Sequence, residues 1–218
     1  MKKFLLPIAL CLCMAAASSC LKESTFSVTN YQDFATSYQQ TLVTDQGATL
    51  HVVQNQTGSE AWKQEGSRFY ILCDIQNREM EIVLKQLLPV EILPAKELSQ
   101  IEKEYTDPIT VKDSGVGGGY FNLFYSYYYN PSSNFAHRIE AWWETAGSEI
   151  HLYLFHDGNG EDPSVMNEDL LKEKDGVMCI PISESLKTGE YNRLTVTLYE
   201  LSSDNKEVKK NTYTVYNI

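Results

Sequence analysis

Tyr120-Phe-Asn-Leu-Phe-Tyr-Ser-Tyr-Tyr-Tyr129 is an aromatic run that reads as one long β-strand. Both of its faces carry rings, so under period-2 alternation some of these tyrosines lie near a surface. Asn130-Pro131-Ser132-Ser133-Asn134 turns the chain. Two further strands follow, His137 to Trp143 and Glu149 to His156, joined around Ala146-Gly147-Ser148. Val177 to Ile182, Tyr191 to Leu201 and Val208 to Tyr216 alternate in the same way. Six short strands separated by turn signals predict an antiparallel β-sandwich over residues 113–218. Between them, residues 157–175 read as an insertion holding a short helix. Asp162 would be its N-cap, Pro163 its first residue, Leu170 and Leu171 its packing face, and Gly176 would follow its end.

On the N-terminal side of the aromatic strand, Asp113-Ser-Gly-Val-Gly-Gly-Gly119 breaks the pattern and suits a domain boundary. It is not a phosphate loop, because no Lys-Ser/Thr follows and the next element is a strand rather than a helix. Upstream, Thr41–Thr44 and Ala48–Val53 flank Asp45-Gln46-Gly47 as a hairpin. Arg68 to Ile75 and Glu79 to Leu84 read as strands around an Asn77-Arg78 turn, and Leu87 to Pro94 is extended. Ala95 to Tyr105 reads as a short helix with Leu98, Ile101 and Tyr105 on one stripe. This content suits a small OB-like barrel over residues 37–112. Residues 20–36 are polar and read as a tether.

The first twenty residues carry an address. Lys2 and Lys3 precede an uncharged stretch from Phe4 to Ala17, then small residues, then Cys20. Fourteen uncharged residues match a signal-peptide core and fall short of the roughly 20 that span a bilayer. A Cys directly after Ala17-Ser18-Ser19 resembles a lipobox, which implies cleavage after Ser19, lipidation of Cys20 and anchorage in a membrane. Two or three acyl chains on one Cys anchor stably, whereas one does not. Lys22-Glu23, and the lack of an acidic residue at Leu21, favour the outer membrane with a lean to the cell surface.

Without the first 19 residues the chain keeps 16 basic and 29 acidic residues, a net charge of −13. Such a balance argues against nucleic acid as a partner. Cys73 and Cys179 lie in apolar stretches and read as small buried hydrophobes.

Gly117-Gly-Gly-Tyr-Phe-Asn-Leu-Phe124, His137, His151-Leu-Tyr-Leu-Phe-His-Asp157, Gly160 and Asp162 together resemble the NigD-like lipoproteins of Bacteroidetes. The resemblance implies an OB-like N-terminal domain, a C-terminal β-sandwich and a lipid anchor. It implies no enzymatic mechanism, no cofactor and no catalytic residue. The family name implies an association with bacteriocin production.

The remaining chemistry is sparse. Asp157, Asn159, Glu161 and Glu168 space oxygen ligands as a calcium loop would, but Asp162 stands where the sharp turn needs Gly. His51, His137, His151 and His156 show no close ligand spacing, and strand alternation sends His151 and His156 to opposite faces. The aromatic residues Tyr127, Tyr129 and Trp142 are the candidate contact residues. Trp142, between Glu140 and Glu144 in flanking alternation, is expected to face outward, and Trp143 inward. The sequence thus predicts a non-enzymatic envelope lipoprotein that binds a protein partner, with glycan binding through those aromatics as the alternative.

Overall fold

The computed structural model describes residues 26–133, 136–161, 171–182, 193–202 and 207–216. Among these the fold is almost entirely β, with one closed barrel and two further sheets. The expected helix beyond Asp162 and the lipidation site Cys20 lie outside the described residues.

The barrel contains β1 (Val28–Tyr38), β2 (Thr41–Thr44), β3 (Thr49–Asn55), β4 (Arg68–Ile75) and β5 (Glu81–Pro89), closed in the order β1-β2-β3-β5-β4. Period-2 alternation builds its core. Phe69, Ile71, Cys73 and Ile75 of β4 point inward to meet Ile82 and Leu84 of β5 and Leu42 and Leu50 of the β2–β3 hairpin. β3 and β5 are parallel, and the other barrel pairs are antiparallel. Residues 28–36, read from sequence as tether, form most of β1 and pair with both β2 and β4. A polar strand of this kind has one face on the core (Ala35) and the other in water, so polarity alone hid it.

The sandwich is built from β6 (Glu91–Ile92), β7 (Ala95–Glu97), β8 (Thr110–Gly117), β9 (Tyr120–Tyr129), β10 (Arg138–Ala146), β11 (Glu149–Asp157), β12 (Lys172–Pro181), β13 (Arg193–Leu201) and β14 (Val208–Tyr216). One sheet runs β14-β13-β11-β10-β7 and the other β6-β12-β9-β8. Phe121, Leu123, Leu152, Leu154, Met178, Ile180, Val196 and Leu198 fill the space between them.

Four sequence expectations are corrected here. The sheets are mixed, since β11–β13, β10–β7 and β12–β6 are parallel pairs. The expected helix over Ala95–Tyr105 is a short strand followed by a single 3-10 turn, Leu98–Gln100. An isolated helix that short is marginal, and the edge of β10 offers its backbone better hydrogen bonds. Most of Asp113–Gly119, read as a glycine-rich boundary, belongs to strand β8, which pairs with β9. β12 begins at Lys172, well before Val177, and pairs with β9 along its whole length.

The second face of β9 explains its double load of rings. Tyr120, Asn122 and Phe124 dock the barrel: Phe124 packs against Phe34 and Tyr70 at ring-centroid distances of 5.4 and 4.9 Å. Beside it, Arg68 of β4 is 2% exposed and joins the two bodies. Its guanidinium donates to Asp45 Oδ1 and Oδ2 at 2.8 and 2.6 Å and to Asn122 Oδ1 of β9 at 2.8 Å. Asn122 Nδ2 donates back to Asp45 at 2.7 Å, and the Tyr120 ring lies 4.0 Å from the guanidinium carbon. Gly117 is needed there, since a Cβ on it would sit 2.6 Å from Asp45 Cβ. The glycine-rich segment is therefore the seat of the barrel on the sandwich rather than a linker.

Candidate functional site

Where β5 leaves the barrel and runs past β9 and β12, a cleft of about 730 Å3 opens. Leu88 and Pro89 form its barrel side, and Tyr125, Tyr127, His137 and Lys174 its sandwich side. That volume suits a small ligand or a short protein segment.

Local sequence shapes this cleft. Gly176 of β12 is the register partner of Tyr125, and a Cβ there would lie 2.4 Å from the Tyr125 ring. Glycine lets the ring lie flat across the neighbouring strand. Gly176 therefore sits in mid-strand. Burial, followed by the negative charge of Glu91, pushes the Tyr125 hydroxyl up to about 12, so it is a proton donor at neutral pH. Among the described residues neither the Tyr125 nor the Tyr127 hydroxyl has a hydrogen-bond partner. The two rings stack at 6.3 Å with 16° between planes, and Lys174 Nζ lies 5.8 Å from the Tyr127 centroid.

Behind Tyr127 lies a buried polar cluster. Its ring stacks on His137 at 4.8 Å and meets His156 at 5.0 Å. His137 Nδ1 is 3.0 Å from His156 Nε2, and His137 Nε2 is 3.0 Å from Glu161 Oε2. His156 Nδ1 donates to the Pro108 carbonyl at 3.1 Å. Glu161 also accepts from the Asn130 N–H at 2.8 Å and from the Ser133 hydroxyl. Burial, and then the charge of His137, pushes His156 down to about 4. Burial works to raise the Glu161 carboxyl. The bonds from Ser133, Asn130 and His137 outweigh it and hold the group below its ordinary range.

The sequence candidates separate at this point. Tyr127 lies in the cleft wall. Tyr129, one turn of the pleat farther along β9, pairs with Lys172 outside that wall. Trp142 points away from the sandwich core, as alternation requires, but it is 6% exposed and not the outward platform expected. The Leu98–Gln100 turn packs on β10, and Lys96 Nζ lies 5.1 Å over the indole. Long-range covering of this kind leaves no mark in the local pattern of β10. Trp143 is half-buried against the sandwich core, as expected.

Asp157, Asn159 and Glu161 do not converge on a common point. Asp157 caps the Asn159 N–H and lies 3.5 Å from Arg138, while Glu161 turns inward to His137. Glu168 lies outside the described residues. Among the described residues no group of three His, Cys, Asp or Glu side chains is arranged to hold a metal ion.

The meeting of His137 and His156 was missed in the sequence. A signal for it exists: counting outward from the tight Ala146–Glu149 turn pairs Arg138 with Asp157 and Ile139 with His156. His137 and His156 thereby become diagonal neighbours of one hairpin.

No family model and no curated protein matches the chain. Solved structures do. A DUF1344 protein of unknown function from Bacteroides vulgatus superposes with a TM-score of 0.67 at 15% identity, covering 88% of this chain and 92% of that one. A NigD-like immunity protein from Bacteroides caccae gives 0.61 at 15% identity, covering 87% and 98%. A candidate lipoprotein from Bacteroides fragilis gives 0.58 at 12% identity, covering 86% and 98%. The barrel-and-sandwich fold is thus shared with these proteins over nearly their whole length.

Proposed function

We propose that this chain is the precursor of a NigD-like outer-membrane lipoprotein, anchored through Cys20, that acts as a non-enzymatic binding module for a protein of the cell envelope. The observation that carries the binding reading is the cleft at the barrel–sandwich junction. It combines an apolar rim, with Leu88 at 48% exposure, and two tyrosine hydroxyls that no described residue engages. Exposed apolar surface beside open hydrogen-bonding groups is the composition of a protein-binding patch. The fold likeness to an immunity protein and to a candidate lipoprotein of Bacteroides supports the same class. The negative charge of the chain agrees with a partner that is not nucleic acid.

One observation favours glycan as a second reading: the stacked Tyr125–Tyr127 pair inside the cleft could accept a sugar ring. A photo-crosslinking residue placed at Leu88 in living cells separates the readings, with the same residue at exposed Val53 as the control. A discrete protein adduct from position 88 and none from position 53 is the expected result. No adduct, together with a glycan that raises the unfolding midpoint of the wild type but not of Tyr127→Ala, would replace the protein reading by the sugar one. Cys20→Ala is expected to release the protein from the membrane fraction, and retention there would remove the anchor.

A further inference from the structure

The buried cluster behind Tyr127 has a proton count that its geometry fixes. Two imidazoles offer four ring nitrogens. His156 Nδ1 faces a carbonyl oxygen at 3.1 Å and so carries a proton. The contact between His137 Nδ1 and His156 Nε2, at 3.0 Å, needs one proton between them. His137 Nε2 faces the Glu161 carboxylate at 3.0 Å and needs another between them. Three protons occupy these contacts, whereas two neutral rings supply only two. With one fewer, either two lone pairs meet between the rings or a lone pair meets the carboxylate. A fourth would set two N–H groups head to head across 3.0 Å. The cluster is complete only with one extra proton, whose charge Glu161 balances.

We infer that His137, His156 and Glu161 form an acid-releasable latch, closed while the cluster holds one extra proton and opened when it takes a second. It fastens four separate segments at one end of the sandwich. These are the Asn130–Ser133 turn through Glu161, the start of β10 through His137, the end of β11 through His156, and the Asp107–Pro108 segment through the Pro108 carbonyl. The Asp107–His156 bridge and the bond from Gly158 N–H to Asp107 Oδ2 at 2.6 Å tie the same segments together. Tyr127 from β9 faces the rings and Asp157 of β11 acts on His156, while Arg138 of β10 pairs with Asp157, Asp107 before β8 holds the Gly158 N–H, and Lys174 of β12 lies beyond Tyr127.

The direction follows from both partners. His156 is pushed down to about 4 in the folded chain, so between roughly pH 6.5 and pH 4 the unfolded chain binds the proton that the folded one refuses. Glu161 is held below its ordinary range, so its contribution is also lost as the pH falls. Acid therefore opens the latch. His137 and Tyr127 line the cleft, so opening would also loosen its wall. That consequence rests on the reading of the cleft as the binding site, whereas the latch itself does not.

The test uses the full chain as the cell produces it, purified in detergent. Imidazole nitrogen NMR at pH 7 should show three N–H protons shared by His137 and His156, with His156 protonated at Nδ1. Two neutral rings at pH 7 in the folded chain would overturn the latch. The second measurement is the thermal midpoint from pH 7 to pH 4. In the wild type the folding equilibrium should fall on the order of a hundredfold from the His156 contribution. His156→Gln, whose amide can donate to Pro108 and accept from His137, should lose most of that fall. His51→Gln, remote on β3, should keep it. Equal acid slopes in the wild type and His156→Gln would overturn the proposal, whatever cross-linking at Leu88 reports.

Discussion

Arg68–Asp45 and His137–Glu161 are two buried charge pairs among the described residues, and they differ in what their charge is made of. At the barrel–sandwich seam, Arg68 meets Asp45 in a pair whose side chains are 0% and 5% exposed. Behind the sandwich wall of the cleft, His137 meets Glu161 with comparable exposures of 5% and 4%. Each links chain segments remote in sequence, and each satisfies its carboxylate with further donors: Asn122 in the first, Ser133 and Asn130 in the second. A guanidinium keeps its charge throughout the physiological range, so the seam is a permanent clamp. Imidazoles, unlike a guanidinium, can change their proton count as the pH falls, and burial pushes His156 down to about 4, so the same architecture becomes conditional. Burial sets the cost of breaking either cluster; the type of cation sets whether pH can break it.

The comparison is tested hardest at Arg68. Arg68→Met leaves the Asp45 carboxylate and the Asn122 amide buried without their main partner. Breaking one side of a buried pair costs about 3–5 kcal/mol, which urea unfolding at pH 7 would register. The loss should be flat between pH 6 and pH 8. A steep pH dependence there would erase the distinction between the two clusters. Gly117→Ala probes the same seam sterically, since its Cβ would sit 2.6 Å from Asp45 Cβ and 2.9 Å from Asp45 Oδ2. Overpacking of this kind costs about 1–3 kcal/mol. A cost near zero would mean that the barrel shifts on the sandwich without disturbing the clamp.

The two clusters were unequally legible in the sequence. Fold class came through because alternation is local: β4 (Arg68–Ile75), β9 (Tyr120–Tyr129) and β14 (Val208–Tyr216) begin and end where the pattern places them. β8 and the first half of β12 did not come through, because Gly115, Gly117 and Gly176 read as breakers. At Gly117 and Gly176 the lack of a side chain instead admits a group from another strand, Asp45 and Tyr125 respectively. The face of Trp142 was readable, but not the Lys96 segment that covers it. Arg68 and Asp45 are 23 residues apart, and Asn122 is 54 beyond Arg68, so nothing local pairs them. The His137–His156 contact lies within one hairpin and could be counted from its turn. Glu161, spaced like a calcium ligand, instead serves as their counter-charge.

That role makes Glu161→Gln the finest discriminator between a permanent and a conditional cluster. In the wild type, Glu161 Oε2 accepts from both the Asn130 N–H and His137. A glutamine that keeps its oxygen there still serves Asn130, but no longer balances the extra proton on the rings. Turned the other way, its NH2 meets His137 well and collides with the Asn130 N–H. Either orientation sacrifices one bond, for a cost of about 1 kcal/mol at pH 7. The sign with pH is fixed by the carboxyl it replaces. Glu161 is held below its ordinary range when folded, so its contribution is present above the unfolded carboxyl value, about 4.3, and lost as the pH falls through the folded one. The wild type and the variant should therefore differ most near pH 6–7 and converge toward pH 3, as followed by urea midpoints across that series. A gap that stays constant would make Glu161 a neutral hydrogen-bond acceptor in practice. The histidine cluster would then be a second fixed clamp, differing from Arg68–Asp45 only in place.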